Sequence, residues 1–141
     1  MYLVMDLLSG GDLRYHICQR RRFNENQTKF FIACIVSGLE YIHNKDTPIL
    51  HRDIKPENLV IDSEGFMRIT DFGIARNLRK ENHGDTSGTP GYMAPEVMCR
   101  QNHNIGVDYF AVGVIAYELM LGKRPYLGKD RKEIRDHILS K

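Results

Sequence analysis

Residues 51–58 read His51-Arg52-Asp53-Ile54-Lys55-Pro56-Glu57-Asn58. Two short apolar runs flank this stretch, Ile49-Leu50 before and Leu59-Val60-Ile61 after, and each is typical of a short strand. An aspartate, a lysine and an asparagine therefore share one polar loop between two strands. An isolated aspartate or asparagine in a loop is most often a turn former or a helix cap, so their interpretation depends on the rest of the chain.

Two further motifs follow the 51–58 loop. Residues 71–73 are Asp71-Phe72-Gly73, and residues 88–96 are Gly88-Thr89-Pro90-Gly91-Tyr92-Met93-Ala94-Pro95-Glu96. In order and spacing, the three blocks resemble the catalytic loop, the metal-binding motif and the end of the activation segment of eukaryotic-type serine/threonine protein kinases. The surroundings of Tyr92 and Tyr117 look similar to the basophilic, cyclic-nucleotide-dependent kinase group and its relatives.

The resemblance implies an α+β fold, namely a kinase-like C-terminal lobe that is mainly helical with short antiparallel strands at the active site. Local signals predict such elements. Asp12 begins a short helix, and Asn24 with Gln27 resembles a capping box that starts a long one. The sequence also predicts strands at 59–61 and 67–69 joined by a hairpin turn, a long loop over 71–91, a buried helix over 108–121 and an amphipathic helix over about 129–139.

By the same resemblance, residues 1–11 form the hinge region, and residues 12–141 form a C-terminal lobe truncated at its end. The glycine-rich loop and the strand lysine with its helix glutamate, which kinases carry upstream of the hinge, have no counterpart here. We therefore expect the N-terminal lobe to be absent, and the isolated chain to bind ATP weakly and to transfer little phosphate. The alternative is a catalytically inactive, truncated kinase-like binding or decoy module, but the intact motifs favour an enzyme.

The activity that the resemblance implies is ATP-dependent phosphorylation of serine or threonine hydroxyls on protein substrates. Phosphoryl transfer needs positioned charge more than covalent chemistry. Asp53 takes the place of the catalytic base, and Lys55 that of the cation which neutralises the moving phosphoryl group. Asn58 and Asp71 supply oxygen ligands from two loops, which suits Mg²⁺ bound together with nucleotide phosphates. Thr89 would lie beside Asp53 and Lys55 and bear on specificity.

The opening residues, Met1 to Met5, are typical of a buried strand. By the resemblance, this strand is the hinge that contacts the adenine of ATP. Met5 takes the gatekeeper position, and the backbone of Asp6 and Leu8 would pair with the adenine edge.

Three residues near the predicted nucleotide have a second, purely structural interpretation. Asp12 falls where kinases place an acidic residue on the ribose, but a helix N-cap is nearly as good an explanation. Leu59, together with Leu13, would pack near the adenine, and both leucines also suit an ordinary core position.

Four residues are predicted to support the site rather than to react. The resemblance makes His51, Phe72 and Asp108 an internal scaffold, in which a buried Asp108 accepts backbone N–H bonds from the 51–58 loop and makes it rigid. Glu96 in this family pairs with an arginine beyond residue 141. We therefore expect a buried, unpaired carboxylate that weakens this end of the chain.

Control of the site is predicted to act through the loop that precedes Thr89. Arg52 comes directly before Asp53, and kinases with that arginine are commonly regulated by phosphorylation of this loop. Asp85 occupies the usual phosphosite position, so our hypothesis is that it supplies a standing negative charge to Arg52. Phosphorylation of Thr86 or Ser87 after a small shift of the loop is the rival, and a solvated loop aspartate is the simplest explanation.

Substrate choice is predicted from three acidic residues. Asp12, Glu57 and Glu118 match positions where basophilic kinases face a substrate arginine. Three carboxylates around one groove would attract arginine on the N-terminal side of the acceptor serine or threonine.

Composition narrows the remaining possibilities. The 141 residues suit one domain, and a net charge of +2 gives no argument for nucleic acid. Three widely spaced cysteines predict neither disulfides nor a zinc site, and favour a reducing, cytoplasmic location. The longest apolar stretch, Tyr109 to Leu121, is too short to span a bilayer. The sequence leaves the oligomeric state open.

Overall fold

The protein is described by a computed structural model, which covers residue 2 and residues 4–140. In that part of the chain the helices are α1 Leu13–Arg20, α2 Glu25–His43, α3 Pro95–Met98, α4 Gly106–Leu121 and α5 Arg131–Leu139, with a 3₁₀ turn at Pro56–Asn58. The strands are β1 Ile49–Leu50, β2 Leu59–Ile61, β3 Met67–Ile69 and β4 Arg76–Asn77. The predicted α+β fold, mainly helical with short antiparallel strands, is confirmed.

The helix ends follow the capping signals of the sequence. The Asp12 side chain accepts a hydrogen bond from the backbone N–H of Tyr15 at the start of α1. Asn24 and Gln27 form both bonds of the predicted capping box at the start of α2. Gly122 ends α4 in the left-handed conformation, with φ 72°, which glycine adopts without steric cost.

The strands form two separate antiparallel pairs. β2 and β3 make the predicted hairpin, and Leu59 lies opposite Ile69. β1 pairs with β4, and Leu50 lies opposite Arg76. The prediction of an unbroken loop over 71–91 is therefore wrong at β4. A two-residue strand of polar side chains has no apolar pattern, and only its distant partner defines it.

The main core lies between α2 and α4 and continues beneath the 51–58 loop. Ile35 and Leu39 of α2 are fully buried with Ile115 and Leu119 of α4. Burial of each such side chain contributes about 1.5–3 kcal/mol. Ile54 belongs to the same cluster, so the loop rests directly on the core. A second cluster packs α3 against α5.

The described residues of the opening run, residues 2, 4 and 5, do not form the buried strand that the sequence predicts. The exposed fractions are 99% for Tyr2, 101% for Val4 and 79% for Met5, while residues 1 and 3 lie outside the described part. An apolar run is buried only where another layer covers it, and no described residue covers this one. No helix among residues 4–140 is long and apolar enough to cross a membrane.

Candidate active site

Asp53 is the centre of a compact polar cluster. Its Oδ1 accepts a 2.6 Å hydrogen bond from the Thr89 hydroxyl, and its Oδ2 lies 2.7 Å from Lys55 Nζ. Asn58 donates from Nδ2 to both the backbone oxygen and Oδ2 of Asp53, at 2.9 and 3.1 Å. Lys55 also donates to Thr89 Oγ1, at 3.0 Å. The structure thus brings together four residues that the sequence separates by up to 36 positions.

The same contacts set the charge of Asp53. Burial by itself would raise the pKa of this carboxyl, but hydrogen bonds from Lys55, Thr89 and Asn58 and the charge of Lys55 outweigh it, and the pKa lies below its ordinary value. Asp53 therefore stays ionised at neutral pH and keeps two acceptor oxygens next to a cation.

Asp108, from α4, holds the backbone of the 51–58 loop. Its side chain is 1% exposed. Oδ2 accepts from the backbone N–H of His51 at 3.0 Å, and Oδ1 accepts from that of Arg52 at 2.8 Å. His43 Nε2 lies 2.9 Å from Oδ2. One buried carboxylate thus satisfies two loop N–H groups that would otherwise be unpaired in the interior.

His51 connects this loop to the strand that precedes the Asp71-Phe72-Gly73 motif. Nδ1 accepts a 3.3 Å bond from the backbone N–H of Asp53, which leaves Nε2 to donate to the Thr70 carbonyl at 3.0 Å. The Phe72 ring meets the His51 ring edge-on, with 4.9 Å between centroids. His51 is fully buried, whereas Phe72 is 47% exposed. The contact fixes the position of the motif relative to Asp53.

Asn58 and Asp71 form the candidate metal site. The β2–β3 hairpin brings their segments together, because Thr70 donates from its backbone N–H and its hydroxyl to the Asn58 carbonyl at 2.9 and 3.1 Å. Asp71 is exposed and adopts φ 62°, and its Oδ1 accepts from the Gly73 N–H. Such a backbone is uncommon outside glycine and is often found at functional sites.

The available ligand atoms at this site fit Mg²⁺. The Asn58 amide turns its Nδ2 toward Asp53, so its carbonyl oxygen is directed elsewhere. No ion pair with a described cation occupies the Asp71 carboxylate. Across residues 4–140, no group of three or more His, Cys, Asp or Glu side chains could hold a metal. Two hard oxygen ligands suit a cation that takes its other ligands from phosphates and water, as Mg²⁺ does.

The residues predicted to contact the adenine and the ribose do not share one environment. Met5 and Asp6 are exposed and Leu8 is half-buried. Leu59 and Leu13 are fully buried in the main core, so their interpretation as core is confirmed. The N-cap interpretation of Asp12 is confirmed as well, while its ribose contact stays a prediction.

Asp85 lies between two arginines in the 71–91 segment. Its carboxylate is 3.4 Å from Arg52 Nη1 and 3.7 Å from Arg76 Nε. Its backbone N–H donates to the Asn82 carbonyl at 3.0 Å. Asn82 is itself buried and bonds to residues 79, 102 and 103. Arg131 of α5 donates to the Thr86 carbonyl at 3.1 Å. The segment is thus anchored on both sides of Asp85.

Ser87 follows the anchored residues and lines a small cavity together with Arg52, Asp53 and Thr89. Glu96 is half-buried rather than buried, and within residues 4–140 no hydrogen bond or ion pair reaches its carboxylate. The cost of leaving it unpaired is correspondingly smaller than for a buried group.

Arg14 makes contacts that the sequence did not indicate. Its Nε donates to Glu57 at 2.9 Å and its Nη1 to Glu118 at 2.8 Å, while Nη2 contacts the Tyr92 hydroxyl. Tyr92 in turn donates to Glu118. Two of the three acids predicted to face a substrate arginine therefore already hold an arginine of the chain.

Two titratable groups respond to this arrangement. Burial and the hydrogen bond with Glu118 raise the pKa of Tyr92 above its ordinary range. Burial would lower the pKa of Arg14, but the bonds to Glu118 and Glu57 raise it. No sequence motif indicated the contacts of His43, Arg14 and Tyr92, because their partners lie 65, 104 and 26 positions away in the sequence.

Comparison with known proteins identifies the family of this chain. The family model described as "Protein kinase domain" matches residues 1–141. A Caenorhabditis elegans protein named "cAMP-dependent protein kinase, catalytic subunit-like" is 41% identical over 139 residues, which cover 99% of this chain and 34% of that protein. "Serine/threonine-protein kinase Sgk1" of Rattus norvegicus is 40% identical over 144 residues, which cover 100% of this chain and 33% of the relative.

A third relative, "Ribosomal protein S6 kinase 2 beta" of Xenopus laevis, is 40% identical over 141 residues, with 99% of this chain and 22% of its own length covered. The chain spans about a third or less of the length of these curated relatives. The predicted resemblance, including that to the cyclic-nucleotide-dependent kinases and their relatives, is confirmed. The chain therefore belongs to the protein kinase family.

Proposed function

We propose that this chain carries the acceptor and metal side of a site that transfers phosphate from ATP to serine or threonine hydroxyls of proteins. The observation that supports it most directly is the Asp53 cluster. There a carboxylate already binds one hydroxyl, that of Thr89, at 2.6 Å, with a lysine 2.7 Å from its other oxygen. An incoming serine or threonine hydroxyl has the same chemistry as the Thr89 side chain.

In this proposal Asp53 orients the substrate hydroxyl and takes its proton. The hydroxyl oxygen forms a bond to the γ-phosphorus of ATP as the bond to the ADP oxygen breaks. Lys55 offsets the negative charge that spreads over the transferring group. Asn58 and Asp71 would hold Mg²⁺, which would neutralise phosphate charge when it is bound together with ATP. Asn58 also keeps the Asp53 carboxylate in place through its Nδ2 bonds.

The finer parts of the proposal rest on the resemblance. The backbone of Asp6 and Leu8 would bind adenine, Met5 would act as gatekeeper, and Asp12 would contact the ribose. The serine/threonine preference is supported by the Lys-Pro-Glu-Asn sequence and by the similarity to "Serine/threonine-protein kinase Sgk1". We also propose a preference for arginine before the acceptor residue, drawn by Glu57 and Glu118.

Asp85 is proposed to keep the 71–91 segment in a working position without phosphorylation. The ion pairs to Arg52 and Arg76 support this proposal, because they place a carboxylate where a phosphate would attract both arginines. Phosphorylation of Thr86 or Ser87 is the competing route. The three free cysteines support a reducing, cytoplasmic setting.

The test uses the complete gene product, purified and treated with phosphatase. We expect phosphate transfer from ATP–Mg²⁺ to serine and threonine peptides but not to a tyrosine peptide. Asp53→Asn should reduce kcat by about a thousandfold, within the range that general-base catalysis contributes. The matched control is Asp46→Asn, which changes an exposed loop aspartate. Peptide binding without transfer in the unmodified protein would refute the enzyme and favour the inactive binding module.

A further inference from the structure

The guanidinium of Arg14 fills a small acidic cleft formed by Glu57, Glu118 and the Tyr92 hydroxyl. Its Nε and Nη1 lie 2.9 and 2.8 Å from the two carboxylates. A second bond, from Nη2 to the other Glu118 oxygen, measures 3.4 Å. Glu118 is the more buried acid, with 7% of its side chain exposed against 45% for Glu57. This is the forked recognition of carboxylate that arginine performs and lysine does not.

The cleft leaves little room for a second guanidinium on Glu118. Oε1 of Glu118 is taken by Arg14, and Oε2 accepts from the Tyr92 hydroxyl as well as from Arg14. Two carboxylates and one guanidinium leave a single net negative charge, and Glu57 is the acid that is more accessible from outside. An arginine of a substrate must therefore displace Arg14, or bind only Glu57, whose charge Arg14 partly neutralises.

The cleft lies beside the path to the reacting group. Glu57 is in the 51–58 loop, between Lys55 and Asn58. Tyr92 comes three residues after Thr89, whose hydroxyl binds Asp53. Tyr92 also lines the same cavity as Asp53 and Thr89. A peptide that places its hydroxyl at Asp53 must therefore lie with neighbouring residues close to the Arg14 guanidinium.

We propose that Arg14 is a specificity-determining residue, an internal guanidinium that occupies the place of a substrate arginine and so weakens the preference for arginine-containing peptides. This inference rests on the proposed kinase function, since it names a subsite of that reaction. Removal of Arg14 frees Glu57 and Glu118 and strengthens the preference.

A purely structural role makes a different prediction. Arg14 joins α1 to the 51–58 loop, to Tyr92 and to α4, so its loss lowers stability under either view. A structural role alone changes the turnover of all peptides by the same factor. The competition proposed here changes the ratio between peptides with and without arginine.

The experiment compares two serine peptides that differ only by arginine or alanine at the second and third positions before the serine. In the complete gene product, Arg14→Met removes the guanidinium and keeps an apolar stem. We expect the arginine-to-alanine ratio of kcat/KM to rise about tenfold, because one charge-assisted hydrogen bond becomes available to the peptide. Arg20→Met, an exposed arginine on the same helix, is the matched control and should leave the ratio as it is.

A second variant keeps the test valid if Arg14→Met does not fold, because Arg14→Met leaves Glu118 buried without its cation. Arg14→Lys keeps a positive charge near Glu118, but a single ammonium cannot span both carboxylates. The ratio should then rise by a smaller factor, about threefold. An unchanged ratio in either variant, with normal circular dichroism and thermal unfolding, overturns the inference.

Direct affinity separates this inference from the proposed function. Fluorescence polarisation of labelled peptides with the serine replaced by alanine measures binding without turnover. If the unmodified protein transfers no phosphate, the kinase proposal fails, and the arginine-to-alanine affinity ratio in Arg14→Met and Arg14→Lys still decides the role of Arg14. A higher ratio supports competition within a binding cleft, and an equal ratio refutes it.

Discussion

The 51–58 loop and the 71–91 segment meet at Arg52, but they are held in different ways. In the loop, the backbone N–H groups of His51 and Arg52 donate hydrogen bonds of 3.0 and 2.8 Å to the buried carboxylate of Asp108. The segment is held at Asp85 by ion pairs of 3.4 and 3.7 Å, and the Asp85 side chain is 29% exposed. The Asp108 contacts are short and buried, whereas the Asp85 pairs are longer and join one buried arginine, Arg52, to one largely exposed arginine, Arg76.

The 51–58 loop is therefore held rigidly, whereas the 71–91 segment near Asp85 can adjust. Exposed ion pairs contribute about 0–1 kcal/mol and weaken with salt, whereas removal of one partner from a buried charged network costs several times more. Conditions that weaken the Asp85 ion pairs should therefore leave the backbone of the 51–58 loop in place. Three substitutions test this contrast.

The largest effect is expected for Asp108→Asn. The amide replaces one acceptor oxygen with a donor that faces the backbone N–H groups of His51 and Arg52, so the complete protein should lose about 3 kcal/mol of unfolding free energy. Activity should fall more than a hundredfold, because the loop carrying Asp53 loses its support. Urea unfolding and peptide kinetics measure the two effects. Asp46→Asn is the control, and a loss below about 0.5 kcal/mol would show that the loop needs no such support.

A smaller effect is expected from Thr89→Val, which removes one hydrogen bond to Asp53 but keeps the shape of the side chain. The folded pKa of Asp53 is depressed, so its stabilising contribution is present above the ordinary value of about 3.9 and is lost as pH falls through the folded value. The variant should raise that folded pKa, and protonation should begin at higher pH. Carboxyl ¹³C titration measures the change.

Thr47→Val, an exposed threonine, provides the matched control for this titration. If the Asp53 titration in Thr89→Val overlaps that of the unmodified protein, the Thr89 hydroxyl does not help to keep the carboxylate ionised.

The smallest effect is expected from Asp85→Asn. Loss of the pair with Arg76, which is 53% exposed, and of the pair with Arg52, which is 5% exposed, should lower kcat/KM about threefold at low salt. The difference from the unmodified protein should disappear as salt is raised. Glu81→Gln, a charge change in the same segment, is the control. A phosphatase-treated unmodified protein without any activity would instead assign control to Thr86 or Ser87.

The sequence predicted those parts of the fold that depend on neighbours in the chain. The capping box at Asn24 and the hairpin turn after Ile61 are local, and both are where the pattern places them. β4 was missed because its partner Leu50 lies far upstream. The prediction of a buried opening strand was wrong for its described residues because an apolar run says nothing about whether a covering layer is present.

The residues of the candidate site likewise fall into those that a local motif predicts and those that depend on distant partners. Motif spacing predicted Asp53, Lys55, Asn58 and Asp71 as site residues, because each motif is contiguous. Arg14 gave no signal, since an arginine in a short helix is usually a solvated cation. Its role depends on a glutamate 104 positions away, a separation over which residue patterns carry no information.

The large sequence separation between Asp108 and the 51–58 loop also affects when this loop becomes ordered during synthesis. The loop with Asp53 leaves the ribosome 56 residues ahead of the carboxylate that fixes it. During synthesis Asp53 therefore exists for a time in an unsupported loop, and ordering must wait for α4 to emerge and dock on α2. Contacts of such large sequence separation form late and slowly. A nascent chain stalled before residue 108 would contain every motif residue of the loop and still lack an ordered site.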